Sequence, residues 1–329
     1  YQKSTRNYGL GDINNDNIRN NLVVYSDKKI VSQNRFEYKG EVRINMHKHL
    51  SIGDVLNYST GFSEVMKSFL LYLDDEQVED FFQNINNYAN NPQELHKKYP
   101  DFWKEKDASA GKTMGAIKKR LSFLIDESKG LHLGSSTLVE GVFESLRQGK
   151  TVIIDLSLRD NFEASVISNI FVRKLFENNK RHFTSGENDK VVNAVIFVEE
   201  AQNVLSEEFV RTNANPFVRV AKEGRKFSLG LVAVTQRPSA ISEEIRTQAE
   251  NFFVFHMGNT RDVKALVESN MNYGGVISKF IQSETIAGNL YMVSANQSFA
   301  LPLRVAEFEK LVHDKVYDDL KFKDLEKRT

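Results

Sequence analysis

The chain has 329 residues, 40% of them hydrophobic, enough to bury one large core and a smaller one beside it. It has no cysteine, which excludes disulfides and thiolate chemistry, and no apolar run of the ~18 residues that a membrane span needs. Lysine plus arginine and aspartate plus glutamate each total 44, so the formal charge is zero; a surface that coats nucleic acid broadly is excluded, and any DNA contact is expected to be local, such as a loop inside a ring. With no signal peptide in view, a cytoplasmic protein is expected. The chain opens on Tyr1 rather than Met, so an upstream segment is expected too.

Residues 1–34 are polar, and only Asn21–Tyr25 reads as a strand there. Gly40–Asn45 is a second strand candidate, carrying on towards His47 and His49. From Ser63 to Glu127 the apolar residues recur at three- and four-residue steps, as in Val65, Met66, Phe69, Leu70 and Leu73, which predicts a small all-helical insertion. Its aromatic residues, Phe81, Phe82, Tyr88, Phe102 and Trp103, are assigned to core packing.

After Leu131 the pattern changes. A helix over Leu138–Arg147 stops at Gly149, and Thr151–Leu156 is an apolar run of the kind found in parallel strands buried on both faces. Asp160 and Glu163 have capping-box spacing and open a helix, followed by a polar loop over Glu177–Lys190. Val191–Val198 is a strand; Asn215-Pro216 starts a helix that Gly224 closes; Leu229–Thr235 is a further buried strand. A helix around Ser242–Ala249, a strand over Phe252–His256, a helix from Thr260 and strands over Asn289–Val293 and Leu301–Val305 follow, before a charged, helical tail. Strands alternating with helices predict an α/β fold with a mostly parallel sheet. The expected organisation is an N-terminal part of the core (1–54), a helical insertion (55–135), a RecA-like core (136–306) and a tail (307–329).

Three strand or helix ends carry chemistry. Val195-Ile-Phe-Val-Glu199-Glu200 is an apolar strand ending in two carboxylates, and ligands of open α/β sheets bind beyond the carboxyl ends of strands. One acid there suits Mg²⁺, which prefers oxygen ligands, and the other suits an attacking water; a strand that merely runs into a solvated acidic loop is the plainer alternative. Gln236, in Thr235-Gln-Arg-Pro238, is an amide at the end of the next strand, able to report a γ-phosphate or hold water, unless Pro238 simply starts a turn. Arg225 and Lys226 follow Gly224 and suit a phosphate, or equally the negative end of a helix dipole.

Gly149–Ser157, Val195–Gln202, Glu223–Phe227 and Leu231–Ser239, in that order and spacing, resemble the HerA/FtsK branch of the P-loop ATPases, and HerA in particular. The resemblance runs from about Leu138 to Val305. It implies that Glu199 assists Mg²⁺, that Glu200 is the catalytic carboxylate and that Gln236 senses the γ-phosphate of ATP. It implies that Arg225, with Lys226, reaches the nucleotide across a subunit boundary. The family's usual histidine after Glu-Glu-Ala is Gln202 here. The implied function is an ATP-driven motor, a homo-hexameric ring that moves double-stranded DNA and works with a nuclease or defence effector; a non-hydrolysing subunit of the same fold, or a secretion or conjugation motor, are the alternatives. Lys180, Arg181 and Arg211 are candidates for touching DNA, against a reading as solvated loops.

The phosphate loop, G-x-x-x-x-G-K-[ST], is the largest departure. Gly-Lys-Thr occurs at 111–113 and at 149–151, but Lys106 and Glu144 stand where the first glycine belongs, and neither copy follows a buried strand and opens a helix. Both are expected to be decoys, with the true loop and first core strand preceding residue 1.

Overall fold

In the computed structural model, residues 20–28, 37–103, 109–210 and 215–307 are described. The strand β1 (Leu22–Ser26) lies between β2 (Glu37–Gly40) and β3 (Thr151–Asp155), parallel to both. The helices α1 (Met46–His49), α2 (Ile52–Tyr58), α3 (Glu64–Tyr72), α4 (Asp75–Asn90), α5 (Pro92–Lys98), α6 (Ala110–Ile125) and α7 (Leu138–Arg147) fall between β2 and β3. Next come α8 (Asn161–Thr184), β4 (Ala194–Val198), α9 (Glu207–Val210), α10 (Pro216–Glu223) and β5 (Leu229–Ala233), with β4 and β5 paired in parallel. The chain closes with α11 (Glu243–Arg246), β6 (Phe252–Val254), α12 (Thr260–Ser269), α13 (Val276–Ser283), β7 (Asn289–Val293) and β8 (Leu301–Arg304); the last three strands form an antiparallel sheet, β6-β7-β8.

The helical region shares one core cluster with β1, α7 and α8, and an aromatic group gathers within it. Phe69 sits at its hub, with the rings of Phe81, Tyr99, Phe102 and Trp103 at 5.2–5.4 Å, mostly edge to face. Arg173 of α8 ties this region to the sheet layer: its buried guanidinium donates to the Asp54 carboxylate at 2.7 Å and to the His49 carbonyl at 2.6 Å.

Four expectations are corrected. The second strand is Glu37–Gly40, earlier than Gly40–Asn45. Glu41 adopts a left-handed φ of 65°, and the backbone groups beyond it find other partners: Val42 donates to Asp27, and Ile44 donates to Leu131. His47 and His49 lie on α1, capped by Asn45, not on a strand. The polar stretch from Glu177 is the end of α8, which runs on to Thr184. Its buried Asn179 misled the sequence reading, since the amide is a clamp: it donates to the carbonyls of Val192 and Phe227 and accepts from the Val192 amide.

Unlike β1, the strands β3, β4 and β5 are also not buried on both faces. Val152, Ile154, Ala194, Ile196, Val198 and Leu231 pack with α7, α8 and α10 into one core, whereas the alternate residues Val195 and Phe197 are 60% and 69% exposed. The described crossover helices contribute to one core against one face, and period-two alternation sends every second side chain the other way. The predicted tail helix and Arg211 lie outside the described residues.

Candidate active site

β4 and β5 run side by side, with Val198 opposite Ala233, so their carboxyl ends open at the same place. Beyond β4 the chain turns sharply. Glu200 takes a left-handed conformation (φ 46°, ψ 46°), which costs a side-chain-bearing residue roughly 1–2 kcal/mol. Hydrogen bonds on either side hold it: Val234 donates to the Val198 carbonyl, Ala201 donates to Val234, and Asn203 donates to Glu200, each at 2.9 Å. Strain held in this way at a strand end is a common mark of a functional residue.

The turn brings Glu200 and Gln236 together. Gln236 Nε2 donates to Glu200 Oε1 at 3.3 Å, and Gln202 Nε2 donates to Glu200 Oε2 at 2.6 Å. Gln202 Oε1 in turn accepts from the Thr235 hydroxyl at 2.6 Å. Glu199, next to this cluster, is exposed. Sequence reasoning missed Gln202 and Thr235 as members of the site. The available signal was that both stand within two residues of an assigned side chain at the ends of adjacent strands.

The donor set suits a nucleotide with its metal. Glu199 offers exposed carboxylate oxygens for a hydrated Mg²⁺, and Gln236 offers an amide N–H to a phosphate oxygen. Among the described residues no group of three or more histidine, cysteine or acidic side chains is placed to hold a metal ion. A second polar cluster marks the carboxyl ends of β1 and β3. Asp155 accepts from the Ser26 hydroxyl at 2.9 Å, from the Ser157 hydroxyl at 2.6 Å and amide at 3.0 Å, and pairs with Lys28 at 3.0 Å. Burial pushes its carboxyl up, but these hydrogen bonds outweigh burial and hold it well below the ordinary carboxylate range.

The basic candidates lie elsewhere. Arg225 and Lys226 occupy a 3₁₀ turn, Gly224–Phe227, before β5 begins, and so stand at the amino-terminal edge of the strand pair. Arg225 is exposed, with Glu250 at 3.8 Å, while Lys226 lies over the Phe227 ring. Gly224 is required there because a Cβ would come within 2.7 Å of the Leu229 carbonyl oxygen. Lys180 and Arg181, exposed on the last turns of α8, share this edge: Phe227 packs on Phe176 and Phe183 of the same helix, at 5.2 and 5.6 Å. Neither Gly-Lys-Thr copy has phosphate-loop surroundings. Lys112 is exposed in the first turn of α6, where Gly111 is needed because a Cβ would meet the Pro92 ring at 2.9 Å. Gly149 turns the chain out of α7 with φ 72°, Lys150 pairs with Glu37 at 3.0 Å, and Thr151 opens β3.

Comparison with known proteins agrees with this architecture. Residues 104–260 match the family model described as zonular occludens toxin (Zot). The DNA double-strand break repair helicase HerA of Sulfurisphaera tokodaii is 25% identical over 218 residues, 66% of this chain and 43% of that protein. HerA of Saccharolobus solfataricus is 26% identical over 167 residues, 51% of this chain and 33% of that protein. The chain thus spans less than half the length of these relatives. Among solved structures, VirB4 of Thermoanaerobacter pseudethanolicus shares the fold, with a TM-score of 0.52 at 11% identity over 89% of this chain and 83% of that one. In sequence, therefore, this chain is similar to the HerA helicases over half to two thirds of its length, and in fold it is similar to VirB4.

Proposed function

We propose that the protein hydrolyses ATP and uses the energy to move double-stranded DNA, as a homo-hexameric ring. The observation that carries the reading is the Glu200 carboxylate beyond β4, held between the amides of Gln202 and Gln236 at the mouth of two parallel strands. In this reading Glu200 orients and takes a proton from the attacking water, and Gln236 follows the γ-phosphate. Glu199 would hold Mg²⁺, which when bound offsets charge on the phosphate oxygens. The HerA relatives, named as DNA repair helicases, support DNA as the substrate.

Arg225 acts in trans. It stands at the amino-terminal edge of β5, about 16 Å of strand away from the carboxyl end of the same sheet. Head-to-tail packing in a closed ring brings such an edge to a neighbour's nucleotide, with Lys226 beside it. Lys180 and Arg181 are weaker candidates for DNA phosphates. A nuclease or defence effector is the proposed partner of the motor.

The test is steady-state ATP hydrolysis by the full-length protein with and without duplex DNA. DNA should raise turnover, and Glu200→Gln should abolish it while leaving ATP binding largely intact. Turnover by Glu200→Gln at the wild-type rate would remove Glu200 from the catalytic role.

A further inference from the structure

The side chain two residues after Glu200 has one set of partners that fixes its direction. Thr235 Oγ1 accepts from the Arg237 amide at 3.0 Å, so its hydroxyl proton is free to donate, and it lies 2.6 Å from Gln202 Oε1. The other end of the same amide, Nε2, is 2.6 Å from Glu200 Oε2. A carboxylate accepts only, so it requires the NH₂ end of Gln202, and that leaves the carbonyl end for the threonine. The chain of donors runs without conflict from the Arg237 amide to Thr235, and from Gln202 to Glu200. The backbone adds a second tie between the same two strand ends, through the Ala201 amide and the Val234 carbonyl at 2.9 Å.

We propose that Gln202, locked by Thr235, is a positioning residue that holds the Glu200 carboxylate in register with the end of β5. This inference rests on the ATPase reading and deepens it. Glu200 is exposed and its side chain has several rotatable bonds; without a brace it would sample many directions. Gln202 donates to one carboxylate oxygen and Gln236 to the other, so the oxygens face a defined direction, and any shift of Thr235-Gln236-Arg237 on phosphate binding carries the carboxylate with it. An amide suits this brace because it donates to the carboxylate and takes no proton from solution itself, so the brace keeps its donor. Gln202 does not itself need to reach the nucleotide. Its effect belongs on the chemical step, because a reacting group misplaced by about 1 Å loses on the order of 100-fold in rate.

The test is made in the full-length protein by separating kcat from KM. Gln202→Ala and Thr235→Val should each lower kcat about 10- to 100-fold, with KM for ATP and the affinity for a non-hydrolysable ATP analogue within about 2-fold of wild type. Thr235→Ser, which keeps the hydroxyl, should retain most of the wild-type kcat. The double variant Gln202→Ala/Thr235→Val should be no slower than the slower single, because both remove one linkage. Wild-type kcat in Gln202→Ala, or equal damage from Thr235→Ser and Thr235→Val, overturns the brace. Wild-type protein and Glu200→Gln in the same assay judge the ATPase reading separately. If wild type turns over and Glu200→Gln does not, that reading stands and the Gln202 and Thr235 variants decide the brace alone; an inert wild type overturns both.

Discussion

The two edges of the β4–β5 pair are built differently. At the carboxyl edge the side chains are polar, exposed or half-buried, and they hold one another: Glu200, Gln202, Thr235 and Gln236 form one hydrogen-bonded set over a strained turn. At the amino edge the charged side chains extend outwards from an apolar platform, where Phe227 is buried among Phe176 and Phe183 and Asn179 pins the backbone on either side. Short polar side chains that brace each other keep a reacting group in a narrow range of positions. Long cationic side chains on a rigid platform reach outwards, towards whatever packs against that edge. The same strand pair therefore offers carboxylates at one end and cationic side chains at the other, separated by the length of the strands.

The sharpest way to break this comparison is to separate the two edges between subunits. Arg225→Ala and Glu200→Gln should each abolish turnover, an effect on the order of 10³-fold or more for an arginine supplied in trans. Rings mixed from the two variants contain interfaces with an intact Glu200 facing an intact Arg225, and ATP hydrolysis should return. Mass-verified mixed rings that stay inert, while wild-type subunits still fire beside dead ones, would place Arg225 outside the neighbour's site.

Stability should divide the edges the opposite way. Phe227→Ala removes a buried ring from the amino-edge platform and should cost about 3–5 kcal/mol in denaturant unfolding, against about 0.5 kcal/mol or less for Glu200→Gln at the exposed carboxyl edge. Equal losses would erase the distinction. A smaller effect concerns the other carboxyl-end cluster. Asp155→Ala should cost about 1–3 kcal/mol near pH 7, because Ser26, Lys28 and Ser157 lose a common acceptor. The folded-state pKa of Asp155 is depressed, so its contribution is fully present above the ordinary value of 3.8 and is lost as pH falls through the much lower folded-state value. The gap between Asp155→Ala and wild type should therefore persist through mild acid and close only in strong acid. The smallest effect is expected at Lys112, on neither edge: Lys112→Ala should leave ATP affinity unchanged in equilibrium binding, and a large loss would restore residues 111–113 as a phosphate loop.

Much of this was legible in the chain itself. Apolar spacing identified the helices around Phe69 and Leu121, capping pairs such as Asp160 and Glu163 marked where α8 begins, and the strands β3, β4, β5 and β7 stood out as apolar runs. These features are local, decided by neighbours three or four residues away or by alternation along one strand. Where a polar residue is satisfied from afar, local reading failed: Asn179 looks like a loop residue until the carbonyls of Val192 and Phe227 come to it.

The site divides along the same line. Two acids after an apolar strand, and a glutamine after the next, are visible as residue types in order, and the sequence alone determined that the chain carries them at strand ends. Only the tertiary structure decided that β4 and β5 are neighbours in parallel register, and that Glu200 turns left-handed to bring its carboxylate to Gln236. Register is set by strand pairing across the sheet. It is therefore the tertiary structure that makes Gln202 and Thr235, 33 positions apart in the chain, hydrogen-bonding partners at 2.6 Å.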